Sequence, residues 1–189
     1  MQAIRTTALL AALLFVGAAS VQAQTTEQRH RGFWIGFGLG AGWSNEGAAG
    51  GTLYARLGGT LSQKWLLGGE MIGWGRRETV DTPFGATDIT TGRGNATFTT
   101  LFYPLSTGGP YLKGGVGFAW VEYSTAVQDL DLSTDQQGLG TTFGLGYDIR
   151  LGNNIYLVPA FDWVFQAFEA DEGTNNSSLF LLSLGLIWH

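Results

Sequence analysis

The sequence predicts an all-β fold, an eight-stranded antiparallel up-and-down transmembrane β-barrel with short periplasmic turns and longer extracellular loops. Three observations carry that expectation. The chain opens with an export signal, the remainder alternates apolar and small or polar residues with a period of two, and the ionisable residues within that alternation keep to its less apolar side.

Met1 to Ala23 have the three parts of a secretory signal. Arg5 supplies the basic start, Ala8 to Ala19 form an apolar stretch too short to span a bilayer as a helix, and Val21-Gln22-Ala23 place small residues at a peptidase site. Cleavage is expected after Ala23, leaving 24–32 as a periplasmic segment and 33–189 as the barrel domain. Removal of Arg5 leaves nine basic residues against fifteen acids, a formal net charge of −6, so nucleic acid is not an expected partner. With no cysteine, an exported chain has no disulfide to staple it. Only 13% of residues are charged, while thirty glycines, seven tryptophans and twelve phenylalanines are present, which is not a disordered composition.

The first strand, Phe33–Trp43, shows the alternation most plainly. Phe33, Ile35, Phe37, Leu39, Ala41 and Trp43 share one face, and Gly36, Gly38, Gly40 and Gly42 share the other. Eleven residues match the length that a tilted strand needs to cross the hydrocarbon. Further strands follow at Thr52–Leu61, Trp65–Arg76, Arg93–Tyr103, Tyr111–Tyr123, Leu139–Leu151, Ile155–Phe168 and Leu179–Trp188. The connections Ser62–Lys64, Pro104–Pro110 and Gly152–Asn154 are short or rich in Pro, Gly and Asn, as tight turns require. Ser44–Gly51, Arg77–Gly92, Ser124–Gly138 and Glu169–Ser178 are longer and polar, and are expected as loops. In outer-membrane barrels the short turns face the periplasm, so both termini are expected there.

The charges decide which face is which. Arg56, Glu70, Lys113, Asp148, Arg150 and Asp162 each lie opposite the fuller apolar set of their strand. A lysine or arginine on the lipid side at mid-membrane costs about 2–4 kcal/mol, so these six are expected inside, as a polar network filling the lumen. A soluble barrel would need the reverse, and glycines with charges do not make a dry core. If the Ser62–Lys64 turn sets Leu61 opposite Trp65, Arg56 falls directly opposite Glu70. Lys113, Asp148 and Arg150 are expected as a second cluster lower down, with Asp162 above it. The interior of an eight-stranded barrel is only wide enough for side chains, so the network is expected to plug the lumen.

The last strand carries the most specific motif. Phe180, Leu182, Leu184, Leu186 and Trp188 alternate almost to the end, with His189 after them. This resembles the C-terminal assembly signal of bacterial outer-membrane barrels, and the whole mature chain is similar to the small OmpA-like or OmpX-like eight-stranded family. His189 is a departure, since family members usually end on the aromatic residue. The resemblance implies an outer-membrane location, contact with lipid and lipopolysaccharide, insertion by the barrel-assembly machinery and a monomeric state. Members of that family do many different things, and it is the filled lumen that favours a structural or surface-interaction role, with a narrow porin-like channel as the alternative and a lipid-modifying enzyme as the less favoured one.

No catalytic residue, cofactor or metal ligand is expected. Enzymes on this scaffold use His with Ser and an acid at the outer rim, but His30 precedes the first strand and His189 follows the last, so both histidines belong at the periplasmic end. The string GFGLGAG sits within a strand, whereas a dinucleotide fingerprint needs a strand-to-helix turn. Its bare backbone leaves room for Trp34, Tyr54 and Trp74, which are expected inside. Ten of the fifteen acids lie in the expected outer loops: Glu46, Glu78, Asp81, Asp88, Asp129, Asp131, Asp135, Glu169, Asp171 and Glu172. They read as a solvated rim or, more sharply, as a Ca²⁺- or Mg²⁺-bridged contact to lipopolysaccharide phosphates. Phe33, Trp65, Tyr103, Tyr111 and Trp188 are expected to form a periplasmic aromatic girdle, with Trp43, Trp120, Trp163 and Phe180 nearer the outside.

Overall fold

The computed structural model describes residue 30 and residues 32–82, 85–105, 109–127, 130–170 and 173–189. The signal segment and the cleavage after Ala23 lie outside the described residues, as do Asp129, Asp171 and Glu172. The described chain is strand and turn. In order come β1 (Phe33–Ser44), β2 (Ala49–Thr60), β3 (Trp65–Thr82), β4 (Gly85–Phe102), β5 (Pro110–Val127), β6 (Leu130–Tyr147), β7 (Ile149–Arg150), β8 (Ile155–Ala170) and β9 (Gly173–Trp188).

Strands β1 to β6 each pair antiparallel with the next, β8 pairs with β6, β7 and β9, and β9 returns to β1 from Ile35↔Trp188 to Ser44↔Leu179, which closes the cylinder. β6 and β7 are one wall strand broken at Asp148, where the backbone N–H donates to Gly109 O, so the barrel has eight strands. The break corrects the continuous strand expected over Leu139–Leu151.

The alternation sorts the side chains as the sequence requires. Phe37, Leu39, Leu53, Phe98, Phe118, Phe143 and Leu184 stand on the outside, with Leu39 72% and Phe118 77% exposed, while Trp34, Tyr54 and Trp74 are buried inside. So continuous an apolar exterior has no stable place in water, and a bilayer is the solvent that suits it. Leu39, between Leu53 of β2 and Leu184 of β9, sits within that belt. Leu39→Arg is expected to cost about 2–4 kcal/mol when the barrel folds into vesicles. Denaturant titration by tryptophan fluorescence measures it, and a wild-type midpoint would place lipid elsewhere.

One expectation needs correction. Arg77–Gly92, Ser124–Gly138 and Glu169–Ser178 are largely not loops but continuations of the wall, with pairing that runs out to Thr82↔Gly85, Val127↔Leu130 and Ala170↔Gly173. At about 3.3 Å per residue, an 18-residue strand outreaches the span by several residues. Thr79, Val80, Ile89, Thr90, Thr91 and Tyr123 explain it: β-branched and aromatic residues hold a strand conformation even where water rather than lipid surrounds the strand. The β1–β2 hairpin is the short one on this side, its strands of 12 residues each turning through Asn45–Ala48 with Gly47 at φ +80°.

Candidate functional site

The chemistry-bearing side chains concentrate in the lumen. Lys113 of β5 donates from Nζ to both carboxylate oxygens of Glu70 on β3, at 2.8 Å each, and pairs with Asp162 Oδ1 of β8 at 2.8 Å. These strands are mutually non-adjacent, so the bonds cross the interior rather than run along the wall. All three side chains are buried, where charge-assisted bonds are short and an unpaired member is costly.

Arg56 stands opposite Glu70 in the β2–β3 ladder, the register that the Ser62–Lys64 turn dictates. The carboxylate is nonetheless taken by Lys113. Arg56 instead donates from Nη1 to the Tyr111 hydroxyl at 3.1 Å, and its guanidinium carbon lies 5.1 Å and 5.2 Å from the ring centres of Tyr54 and Tyr111. A delocalised, weakly hydrated guanidinium suits that aromatic slot better than an ammonium would.

Nearer the periplasm, Tyr103 donates its hydroxyl proton to Asp148 Oδ2 at 2.9 Å, and His189 Nε2 lies 3.5 Å from the same oxygen. His30 packs beside them, with its ring centre 4.4 Å from that of Tyr103 and its Nδ1 3.3 Å from His189 Nδ1. Burial, helped by His189 and opposed by Asp148, lowers the His30 imidazole to a pKa of about 4. Gln63 fixes this segment by donating from Nε2 to His30 O at 3.1 Å.

Towards the outside, Gln166 donates from Nε2 to Asn95 Oδ1 at 2.7 Å and to Gly94 O at 3.0 Å. Arg93 reaches Ser177 from Nη1, and its Nη2 stands 3.9 Å from Glu46 Oε2. Arg93, Asn95 and Gln166 were not among the expected lumen residues. Their parity signals an inward position, but the strand carrying Arg93 was expected to begin there.

Two sequence expectations fail. Arg150 is not enclosed in the lumen: it is exposed, donating to Gly152 O from Nε at 2.9 Å and to Asn153 O from Nη2 at 3.4 Å, because it is the last paired residue of the wall, opposite Tyr156, and the turn's carbonyls are its neighbours. Lys113, Asp148 and Arg150 therefore do not cluster; Lys113 joins Glu70 and Asp162, and Asp148 stands apart with Tyr103. Tyr103 and Tyr111 are not girdle residues either, since both are buried inside with hydroxyl partners. Tyr111 shares the parity of Lys113, a signal that was available. Phe180, Leu182, Leu184, Leu186 and Trp188 alternate with buried Leu179, Leu181 and Ile187 and so lie on the outer face of β9.

The arrangement is a set of charges, hydroxyls and rings that contact one another across a narrow interior, with the Tyr54 hydroxyl and the Arg56 Nε and Nη2 atoms left without a hydrogen-bond partner. Comparison with known proteins fits a membrane barrel. The attachment invasion locus protein Ail of Yersinia pestis, solved in complex with the heparin analogue sucrose octasulfate, superposes with a TM-score of 0.56 at 13% identity, covering 84% of this chain and 99% of that one. Neisserial surface protein A superposes with a TM-score of 0.54 at 12% identity, covering 85% and 99%. At such identities the likeness shows the fold. No curated protein sequence matches significantly. The sequence model of the outer membrane protein beta-barrel domain family matches residues 9–185, and the chain belongs to that family, whose place is the bacterial outer membrane.

Proposed function

We propose that this chain is a non-enzymatic barrel with a structural or surface-interaction role, its lumen closed by its own side chains and its contacts made by the extended hairpins outside. The observation that carries the reading is the Glu70–Lys113–Asp162 triad, whose buried bonds tie three non-adjacent walls together at the level of the aromatic-flanked Arg56. Such a network leaves its charged groups engaged with one another, and an eight-stranded interior has room for little else.

The hairpins β3–β4, β5–β6 and β8–β9 rise beyond the membrane and carry most of the acids, so partners are sought there, with divalent-bridged lipopolysaccharide phosphates as one chemistry they suit. In the same reading Met1–Ala23 is removed on export, 24–32 is periplasmic, the barrel-assembly machinery reads the outer face of β9, and the barrel is a monomer.

Planar-bilayer recording on protein extracted from outer membranes tests the closed lumen, using material whose mass fits a start at Gln24. No reproducible single-channel steps are expected. Steps that disappear in Arg56→Ala would replace this reading with a narrow channel for ions or very small solutes.

A further inference from the structure

His30 and His189 are the chain's entire histidine complement, and the fold brings them together from opposite ends of the barrel sequence. His30 precedes β1 and His189 follows β9, and the pairing of those two strands sets the flanking residues side by side at the periplasmic mouth. Their Nδ1 atoms are 3.3 Å apart, a hydrogen bond between the rings that a shared ion would replace, and both side chains are almost wholly enclosed, His30 being 1% exposed and the His189 side chain 3%. Zinc–imidazole bonds of about 2.0–2.1 Å in a tetrahedron put two ligand nitrogens about 3.3 Å apart, so the pair has the separation of a tetrahedral edge.

A second observation lies on the far side of the His189 ring. Its Nε2 faces Asp148 Oδ2 at 3.5 Å, and the Tyr103 hydroxyl holds that oxygen at 2.9 Å. A carboxylate beside the outer nitrogen favours the proton there and leaves the Nδ1 lone pair to a metal, which is how carboxylate–histidine pairs orient ligands elsewhere. The backbone is also prepared: Gln63 Nε2 donates to His30 O at 3.1 Å, and His189 N donates to Asn154 O at 3.2 Å. Neither ring needs to be carried to the other.

We propose that His30 and His189 chelate a divalent transition ion of the zinc class through their Nδ1 atoms, with Asp148 as the positioning residue for His189. Water completes the coordination, since among the described residues no three or more His, Cys, Asp or Glu side chains gather as a metal site. Two ligands make a weaker site than a structural zinc centre. The ion would clip the segment before β1 to the residue after β9, joining the ends of the closing seam in a chain that has no disulfide to do so.

The test uses tag-free barrel refolded in detergent, stripped of metal and titrated with zinc chloride by calorimetry. One ion per chain is expected, with affinity lowered by about tenfold or more in His30→Gln, in His189→Gln and in Asp148→Asn. Imidazole nitrogen resonances of the unsubstituted protein give a reading that does not depend on any variant folding: zinc is expected to shift both Nδ1 signals, and with two histidines neither is ambiguous. Unshifted resonances, or zinc bound equally well by both Gln variants, would overturn the proposal.

Discussion

Lys113→Met is expected to destabilise the barrel by about 3–5 kcal/mol, the loss that follows when one partner of a buried ionic group is removed and the others stay. In this protein two carboxylates, Glu70 and Asp162, depend on the one ammonium, each with an oxygen 2.8 Å from Nζ. Both side chains are enclosed by the wall, so water does not replace Lys113 readily. The comparison that isolates the cause is the triple variant Glu70→Gln, Lys113→Met, Asp162→Asn, which removes all three charges together. It is expected to recover most of the loss, because replacing a whole buried charged group is often neutral or stabilising. Denaturant unfolding in detergent, followed by tryptophan fluorescence, measures both. A loss under about 1 kcal/mol for Lys113→Met would mean that the triad is solvated and the interior open.

Gly40→Val is expected to prevent efficient closure of the barrel. Gly40 of β1 pairs with Ser183 of β9 at the seam where the first and last strands meet, and its inner face is pressed against the neighbouring backbone. A Cβ built there meets Leu182 O and lies 2.7 Å from Ser183 Cα. Both are main-chain atoms, so no rotamer change relieves the contact, and the cost is expected to reach or exceed the ~1–3 kcal/mol typical of overpacking. Gly51→Val on β2 is the control, because nothing lies within 4 Å of a Cβ at that outward position, and it is expected to stay within about 0.5 kcal/mol of wild type. The folded fraction, read as heat-modifiable gel mobility after refolding into vesicles, is expected to fall below half of the wild-type value for Gly40→Val alone. Equal yields for the two variants would show that the seam is looser than this geometry.

Much of this was legible from residue order. The faces of all the spanning segments follow from alternation, and the charge positions say which face meets lipid. Even the placement of Arg56 opposite Glu70 follows from one tight turn. The hairpin extensions were not legible in the same way, because above the membrane no lipid enforces an apolar face and polar β-formers such as Thr79 and Thr90 resemble loop sequence. Arg150 was misplaced because parity gives a side chain's direction and not its enclosure, and Arg150, opposite Tyr156, is the last paired residue of the wall, beside the exposed Leu151–Asn154 turn. Tyr111 was misplaced for a different reason: an aromatic near a strand end suits a girdle, but inside the barrel its hydroxyl accepts a hydrogen bond from the Arg56 guanidinium.

Taken by itself, the order of residues determined that this chain is a closed antiparallel barrel with lipid outside and charge within, because a period of two leaves each side chain only two directions and lipid tolerates only one kind of residue in one of them. Which charges meet, and that the two histidines touch, only the tertiary structure decided. Alternation defines a strand's register no more finely than steps of two residues, and contacts across the lumen, such as Lys113 with Asp162, depend on the accumulated stagger of every ladder around the cylinder.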